Sequence, residues 1–123
     1  MKKFNHWKEV VDRLDDDSRY YFRMETKGPE EFHKLLDPEY QFSSAPDGDE
    51  TRRGISCCDS LAQLENYNET LGWIAEEGYV VVLLGEESED EPLDRIFGEV
   101  LIYPTKIVGY MLAKDSGIFD DDE

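Results

Sequence analysis

The chain has 123 residues, of which 30 are acidic and 13 basic, giving a net charge of -17 at pH 7. This length is typical of one ordinary domain and too short for two independent hydrophobic cores. Such a negative surface repels nucleic-acid phosphates and anionic lipids, which disfavours ordinary DNA, RNA or membrane binding unless a local basic patch overrides the field, and Arg52 and Arg53 are too small a patch.

An apolar stripe with helical spacing opens the chain. Its members are Trp7, Val10, Val11 and Leu14. Asn5 precedes the stripe and is a suitable cap, and aspartates at positions 15–17 follow it. The pattern predicts a one-sided helix that ends at this acidic run.

The next segment, "RYYFRMET", has the period of a strand. Tyr20, Phe22 and Met24 share one apolar face, and Arg23 lies on the opposite, mixed face. Gly28 and Pro29 then start a short helix, which ends at Asp37 and Pro38. Its predicted inward residues are Phe32, Leu35 and Leu36.

Residues 39–53 have no sustained period and are rich in Ser, Asp, Gly and Pro, which predicts a loop. Residues 54–58 are small and apolar enough for a short buried strand. Asp59 or Ser60 then caps a helix. The helix carries Leu61, Leu64, Tyr67 and Leu71.

The C-terminal half is dominated by strands. Residues 73–78, "WIAEEG", indicate an irregular segment, and "YVVVLL" after them predicts a central strand covered on both faces. Residues 86–98 indicate a solvated acidic loop. "EVLIYP" and "KIVGYMLA" then predict two strands broken at Pro104.

This order of elements predicts an α+β fold in a single domain, with a mixed, mostly antiparallel sheet and about three helices. We expect the domain to cover residues 1–116, followed by an acidic tail at 117–123. No apolar run reaches 18 residues, and the only cysteines, Cys57 and Cys58, are neighbours. These features favour a reducing, cytoplasmic location. Buried in a strand, the two thiols are expected to be core residues.

Metal-binding patterns are weak in this sequence. His6 and His33 lie in helical contexts without partner ligands, which indicates structural or surface roles. The acidic run at 86–91 lacks the spacing and glycine of a calcium loop, so a solvated charge run is expected there. The sequence therefore predicts no metal site.

One constellation suggests chemistry: Arg23 on the first predicted strand, Ser56 on the short strand that leads into a helix, and Glu99 at the start of a late strand. In this order the segments "YYFRME", "RRGISCCDSLAQLENY" and "GEVLIYPTKIV" resemble the ADP-ribosyltransferase superfamily, and together they touch about a third of the chain.

The resemblance implies that NAD is the co-substrate and assigns a role to each residue. Arg23 would grip the diphosphate or ribose. Ser56 would hold the ribose or brace Arg23, and Glu99 would stabilise the positive, oxocarbenium-like centre formed as the glycosidic bond breaks. A tyrosine, from among Tyr20, Tyr21 and Tyr67, would stack on nicotinamide.

Two positions depart from the family pattern. Arginine-modifying members carry an acidic or amide residue two positions before the catalytic glutamate, where this chain has Phe97. Glycine often follows the first arginine, where this chain has Met24. The resemblance therefore favours another acceptor, NAD hydrolysis, or a scaffold kept for binding.

A second hypothesis comes from the charge alone. The acidic clusters at 15–17, 47–50, 86–91 and 120–123 suit a non-enzymatic interaction protein or inhibitor that binds a basic partner, such as a nucleic-acid-binding protein. The same charge also serves solubility. The constellation and the charge thus support two different classes of function.

Overall fold

The computed structural model describes residues 2–14, 19–44, 51–71, 78–92 and 95–118. Its strands are β1 (Lys2–Lys3), β2 (Tyr20–Glu25), β3 (Phe42–Ser44), β4 (Thr51–Arg53), β5 (Ile55–Cys57), β6 (Tyr79–Glu87) and β7 (Val100–Leu112). The α-helices in these ranges are α1 (Trp7–Arg13), α2 (Leu61–Leu71) and α3 (Ala113–Ser116). Shorter 3-10 helices cover Pro29–Leu36, Pro38–Tyr40 and Arg95–Phe97.

Among the described residues, the main sheet has five strands. Four follow the order β1-β7-β6-β2, and β5 pairs with the first residues of β7. β1 runs parallel to β7, whereas β2–β6, β6–β7 and β5–β7 are antiparallel pairs. β3 and β4 form a separate antiparallel pair. The predicted α+β class with a mixed, mostly antiparallel sheet is confirmed.

The pairing of β6 with β7 forms the centre of the sheet. It extends from Tyr79 opposite Leu112 to Glu87 opposite Ile102. Residues 80–83 of β6 are fully buried, as expected for a β-branched run covered on both faces. The predicted central strand is thus confirmed.

The predicted break at Pro104 is wrong, because β7 continues through this residue. The register with β6 shifts twice, and each shift leaves one extra residue, Thr105 or Val108, on β7. Thr105 immediately follows Pro104, which lies opposite Gly85. A bulge beside the proline lets the strand continue although Pro104 has no N–H to donate.

Apolar side chains cover both faces of the sheet. On the first face the core includes Val10 of α1, Phe22, Met24, Cys58, Leu64 of α2, Val80, Val82, Met111 and Ile118. On the second face it includes Tyr21, Phe32, Ile55, Cys57, Val81, Leu83 and Ile102. Because Tyr21 is also buried, both faces of β2 lie against a core rather than one alone.

Helix α1 differs from its prediction in two details. His6, not Asn5, caps it: Lys8 N–H donates to His6 Nδ1 at 3.2 Å. The extended backbone of His6 puts its ring next to the first turn, the geometry a cap requires. Val11 was expected in the apolar stripe but is 52% exposed, so Val10 is the valine that enters the core.

The helix predicted after Pro29 is a 3-10 helix. Phe32 is buried beneath it and meets Tyr79 and Tyr110 edge-on, with ring centroids 5.8 and 5.5 Å away. Leu35 is partly buried, whereas Leu36 is 38% exposed, so its predicted inward position is wrong. The tighter 3-10 turn spaces side chains by three residues per turn, which moves Leu36 out of line with Phe32.

The loop predicted at 39–53 is also wrong where the structure describes it. A 3-10 turn at 38–40 is followed by β3, which pairs with β4 through Phe42 opposite Arg53. Residues 45–50 lie outside the described part. Gln41 anchors the segment: its buried amide donates to the carbonyls of Leu35 and Pro104 at 2.9 and 3.1 Å. This long-range anchor has no signature in the local sequence.

The predicted strand at 54–58 and the helix after it correspond to β5 and α2. Of the two caps that the sequence allowed, Asp59 and Ser60, the structure has Ser60, whose Oγ accepts a hydrogen bond from Gln63 N–H at 3.1 Å. Of the irregular segment predicted at 73–78, only Gly78 lies within the described residues. At the other end, the core extends past residue 116, because Ile118 is only 8% exposed. The rest of the predicted tail, 119–123, lies outside the described residues.

Candidate functional site at the junction of β2 and β5

Arg23 connects two strands that scarcely pair through their main chains. Its Nη1 donates to the main-chain carbonyl of Ser56 at 2.7 Å. Its Nε donates to Glu25 Oε2 at 2.5 Å, forming an ion pair in which both side chains are partly buried. Two of the three guanidinium nitrogens are therefore held within the protein.

The main-chain pairing explains why Arg23 occupies this place. Phe22 and Cys58 exchange two hydrogen bonds of 2.8 Å, which form an isolated antiparallel bridge between β2 and the end of β5. Next to this bridge, the carbonyl of Ser56 accepts its hydrogen bond from the guanidinium. We call the group Arg23, Glu25, Ser56, Cys57, Cys58 and Glu99 the β2–β5 junction.

Glu99 reaches this junction from the other side of β5. It directly precedes Val100, which lies opposite Cys57 in the β5–β7 pairing. It follows Gly98, whose φ of +98° allows a turn that most residues adopt only with strain, and a β-carbon there would collide with Gln63 of α2. Glu99 is only 7% exposed, which is unusual for a carboxylate.

The pKa values of Cys57 and Cys58 depend on their burial and on the charged groups around them. Burial raises the pKa of Cys57 to about 12; Arg23 opposes this increase, whereas Cys58, Glu25 and Glu99 add to it. Burial also raises the pKa of Cys58 to about 12, helped by Asp59 and Glu99. The charges of Arg23, Glu25 and Glu99 thus all influence the pKa of Cys57, and Glu99 also influences that of Cys58. Both thiols stay protonated and unreactive at neutral pH.

Strand alternation assigns these side chains to opposite faces. Arg23 follows Tyr21 on the face of Cys57. Ser56 directly precedes Cys57 on β5, and neighbouring strand residues point to opposite faces. The Ser56 hydroxyl is therefore on the face opposite Cys57. The structure therefore joins Arg23 to Ser56 through a carbonyl that any residue would supply. Of the two implied roles of Ser56, bracing Arg23 does not require a hydroxyl.

The same alternation puts the two cysteines in different cores, Cys57 with Tyr21 and Cys58 with Phe22. Their sulfurs therefore face away from each other across the sheet. The expectation that both are core residues agrees with their exposures of 2% and 0%.

The three candidate tyrosines differ in position. Tyr67 and Tyr20 are partly buried against the first-face core, the side of the Ser56 hydroxyl. Tyr21 is 1% exposed, and its hydroxyl donates to Glu87 Oε2 at 3.3 Å. Burial, with Glu87 as the next cause, raises the pKa of Tyr21. Tyr21 is thus a core residue, whereas Tyr20 and Tyr67 lie closer to solvent.

The acidic segment near this junction is more ordered than a solvated loop. β6 extends to Glu87, whose carboxylate pairs with Arg19 at 2.9 Å. Glu89 accepts hydrogen bonds from the Tyr103 hydroxyl at 3.0 and 3.2 Å, and its pKa is lowered by its own backbone N–H and by Tyr103. Asp90 accepts from the Arg53 N–H at 2.7 Å. The prediction of a solvated loop at 86–98 is therefore wrong for 86–87, which belong to β6, whereas 88–90 lie outside any strand or helix and the Glu89 side chain is 60% exposed.

Sequence reasoning missed Glu25 as a member of the site. In "RME" it is two residues after Arg23, so the strand period alone puts both side chains on one face. That spacing was a usable signal. The anchoring of Glu89 by Tyr103 had none, because the residues are 14 apart and meet only through the β6–β7 pairing.

Within the described ranges, no group of three or more His, Cys, Asp or Glu side chains is arranged to hold a metal ion. No helix in these ranges is long and apolar enough to cross a membrane. Comparisons with protein-family models, curated proteins and solved structures found no match.

Proposed function

We propose that this protein is a small ADP-ribosyltransferase-like domain that binds NAD at the β2–β5 junction and transfers ADP-ribose or hydrolyses NAD. The observation that carries the proposal is that Arg23 and Glu99, which are far apart in sequence, lie on either side of β5, the strand that holds Ser56. Arg23 bonds to Ser56, and Glu99 precedes the partner of Cys57.

Arg23 would contact the diphosphate through Nη2, the guanidinium nitrogen without a hydrogen bond among the described residues. Glu25 and the Ser56 carbonyl fix the plane of the guanidinium, which lowers the entropy lost when a phosphate binds. Glu25 also offsets part of the positive charge, so we expect moderate affinity. Paired with Glu25, Arg23 would bind the diphosphate mainly through an oriented hydrogen bond and less through its net charge.

Glu99 would stabilise the positive charge that develops on the ribose as the bond to nicotinamide breaks. Its burial strengthens this interaction, because charges interact more strongly away from water. Nicotinamide leaves with the bonding electrons, and water or an acceptor nucleophile forms the new bond and releases a proton to solvent. The partly buried phenol ring of Tyr67 or Tyr20, on the face of the Ser56 hydroxyl, would flank the leaving ring.

The test is release of nicotinamide from NAD, measured by chromatography. Glu99→Gln keeps the shape of the side chain and removes its charge, and we expect about a hundredfold loss of rate. Glu39→Gln, a change of an exposed glutamate on the 3-10 turn at 38–40, is the matched control and should keep the native rate. An inactive native protein, or equal loss in both variants, would contradict the proposal.

A second function, binding of a basic protein, is favoured by the order of the acidic segment. Glu87, Glu89 and Asp90 are held by Arg19, Tyr103 and Arg53. Carboxylates that are already held in place lose less conformational entropy on binding a basic surface than mobile carboxylates do.

A lysine-rich model peptide is the probe for this second function. Its affinity should fall as salt rises from about 0.05 to about 0.3 M, since exposed charges are screened over that range. Glu89→Gln/Asp90→Asn should weaken binding more than Glu30→Gln/Glu31→Gln, which removes the same charge elsewhere. Binding that is insensitive to salt would contradict this function.

A further inference from the structure

A cavity of about 290 Å³ lies between α1, α2 and the residues after α3. Its lining consists of Trp7, Leu61, Ala62, Glu65, Gly117 and Ile118. Leu61, Ala62 and Glu65 lie on one side of α2. Gln63 is on the opposite side of this helix, next to Gly98, the residue before Glu99. The cavity is therefore separate from the β2–β5 junction.

Gly117 gives the cavity its shape. Its φ of +79° is in the left-handed region, and a β-carbon would collide with the imidazole of His6. The main chain after α3 therefore passes directly beside the start of α1. Ile118 then enters the core, 8% exposed, and leaves a recess between Trp7 and α2.

The chemistry of the lining has one sign of charge. Glu65 is its charged member, beside an indole, two aliphatic side chains, an alanine and a glycine. Among the described residues, the lining contains no basic side chain, and the chain as a whole carries a net charge of -17. Such a recess attracts cations and repels anions.

The Trp7 ring already interacts with a cation. The Lys8 ammonium is 5.8 Å from its centroid, and the tilted ring of His6 lies at the same centroid distance. The face of an indole ring attracts ammonium groups, most strongly where water is excluded. Aromatic and aliphatic walls beside one carboxylate suit a ligand with a ring at one end and an ammonium at the other.

We infer that this cavity binds a small organic cation of the arylalkylamine class, with its ring against Trp7 and Ile118 and its ammonium at Glu65. The volume is near the lower limit of the range of about 300–1,000 Å³ found for ligand pockets, which favours a ligand with a single ring. This inference does not depend on NAD binding.

The probe is 2-phenylethylamine, titrated into the ¹⁵N-labelled full chain and followed by NMR. Amide shifts should concentrate at Leu61, Ala62, Gly117 and Ile118, together with the Trp7 indole N–H. The neutral isostere 2-phenylethanol should bind more weakly than the amine, and 3-phenylpropionate should bind least, because Glu65 repels its carboxylate.

Three variants sharpen the assignment. Glu65→Gln should weaken amine binding about two- to fivefold, as expected for an accessible ion pair, and should reduce the preference for the amine over the alcohol. Glu39→Gln removes the same charge far from the cavity and should leave the affinity unchanged. Ala62→Leu adds volume at an exposed position of α2, so the fold should persist while binding weakens.

Loss of amine preference in Glu65→Gln, but not in Glu39→Gln, would support the inference. The absence of binding, shifts outside the cavity, or equal affinity for amine and alcohol in the native chain would overturn it. NAD supplies an independent comparison, because its shifts should appear at the β2–β5 junction whether or not the amine binds.

Discussion

The β6–β7 pairing and the β2–β5 junction hold the same sheet together by different means. Between β6 and β7, main-chain hydrogen bonds run from one end of β6 to the other, and side chains fill both faces. Between β2 and β5, one bridge at Phe22 and Cys58 is supplemented by the Arg23 side chain. Where β2 and β5 separate, the Arg23 guanidinium replaces a main-chain hydrogen-bond donor. Polar side chains therefore remain at a position that a ligand can approach.

The largest effect is expected from shortening a side chain in the β6–β7 region. Leu83 is fully buried, so Leu83→Ala should lower the free energy of unfolding by about 2–5 kcal/mol through lost burial and the cavity created. Leu36→Ala is the control, because Leu36 is 38% exposed. Urea denaturation measures both, and a larger loss at Leu36 would contradict the assigned core.

Alkaline pH should weaken the junction through its thiols. Folding raises the pKa of Cys57 and Cys58 from 9.0 to about 12, so the folded chain keeps protons that the unfolded chain loses. This contribution is complete below about pH 9 and is lost as pH rises toward 12. Each thiol contributes a slope of about 1.4 kcal/mol per pH unit in that window.

Urea denaturation at a series of alkaline pH values measures this slope. Cys57→Ala/Cys58→Ala should flatten it while leaving a smaller contribution from Tyr21, whose pKa is also raised. An unchanged slope in the double variant would show that the thiols are not the cause.

Removing the guanidinium should cost less than opening the core. Arg23→Met leaves Glu25 and the Ser56 carbonyl without their donor, which we expect to lower the free energy of unfolding by about 1–3 kcal/mol. Arg23→Met/Glu25→Gln should recover part of this loss, because it removes the unpaired charge. Arg53→Met is the exposed control. Equal effects of Arg23→Met and Arg53→Met would remove the structural role of Arg23.

The smallest effect is expected for an ion pair on the surface. Arg95 and Glu91 are 2.7 Å apart but 69% and 77% exposed. Glu91→Gln should change the free energy of unfolding by less than about 0.5 kcal/mol, since water and salt screen such pairs. A loss as large as that of Arg23→Met would mean that exposure does not distinguish the two ion pairs.

The features that were predicted correctly from the sequence depend on the pattern of neighbouring residues alone. The run at 79–84, the alternation in β2 and the Ser60 cap need only neighbouring residues to specify them. The convergence of Arg23 and Ser56 was expected only through a family resemblance, and their contact through a main-chain carbonyl was not expected at all.

The failed predictions share a physical cause in long-range contacts. Pro104 appeared to end a strand because the bulge that accommodates it depends on register with β6. Residues 39–44 were predicted as part of a loop because Gln41 is held by a carbonyl 63 residues away, which local sequence does not reveal. The cavity at Trp7 depends on the close approach of Gly117, more than a hundred residues later in the chain.

The most direct test of the proposed site is NMR mapping of NAD on the ¹⁵N-labelled native chain and on Arg23→Met. In the native chain we expect shifts centred on the amides of Ser56, Cys57 and Glu99, and in Arg23→Met we expect them to weaken strongly. NAD that shifts none of these amides, or shifts them equally in both proteins, would contradict NAD binding at the β2–β5 junction.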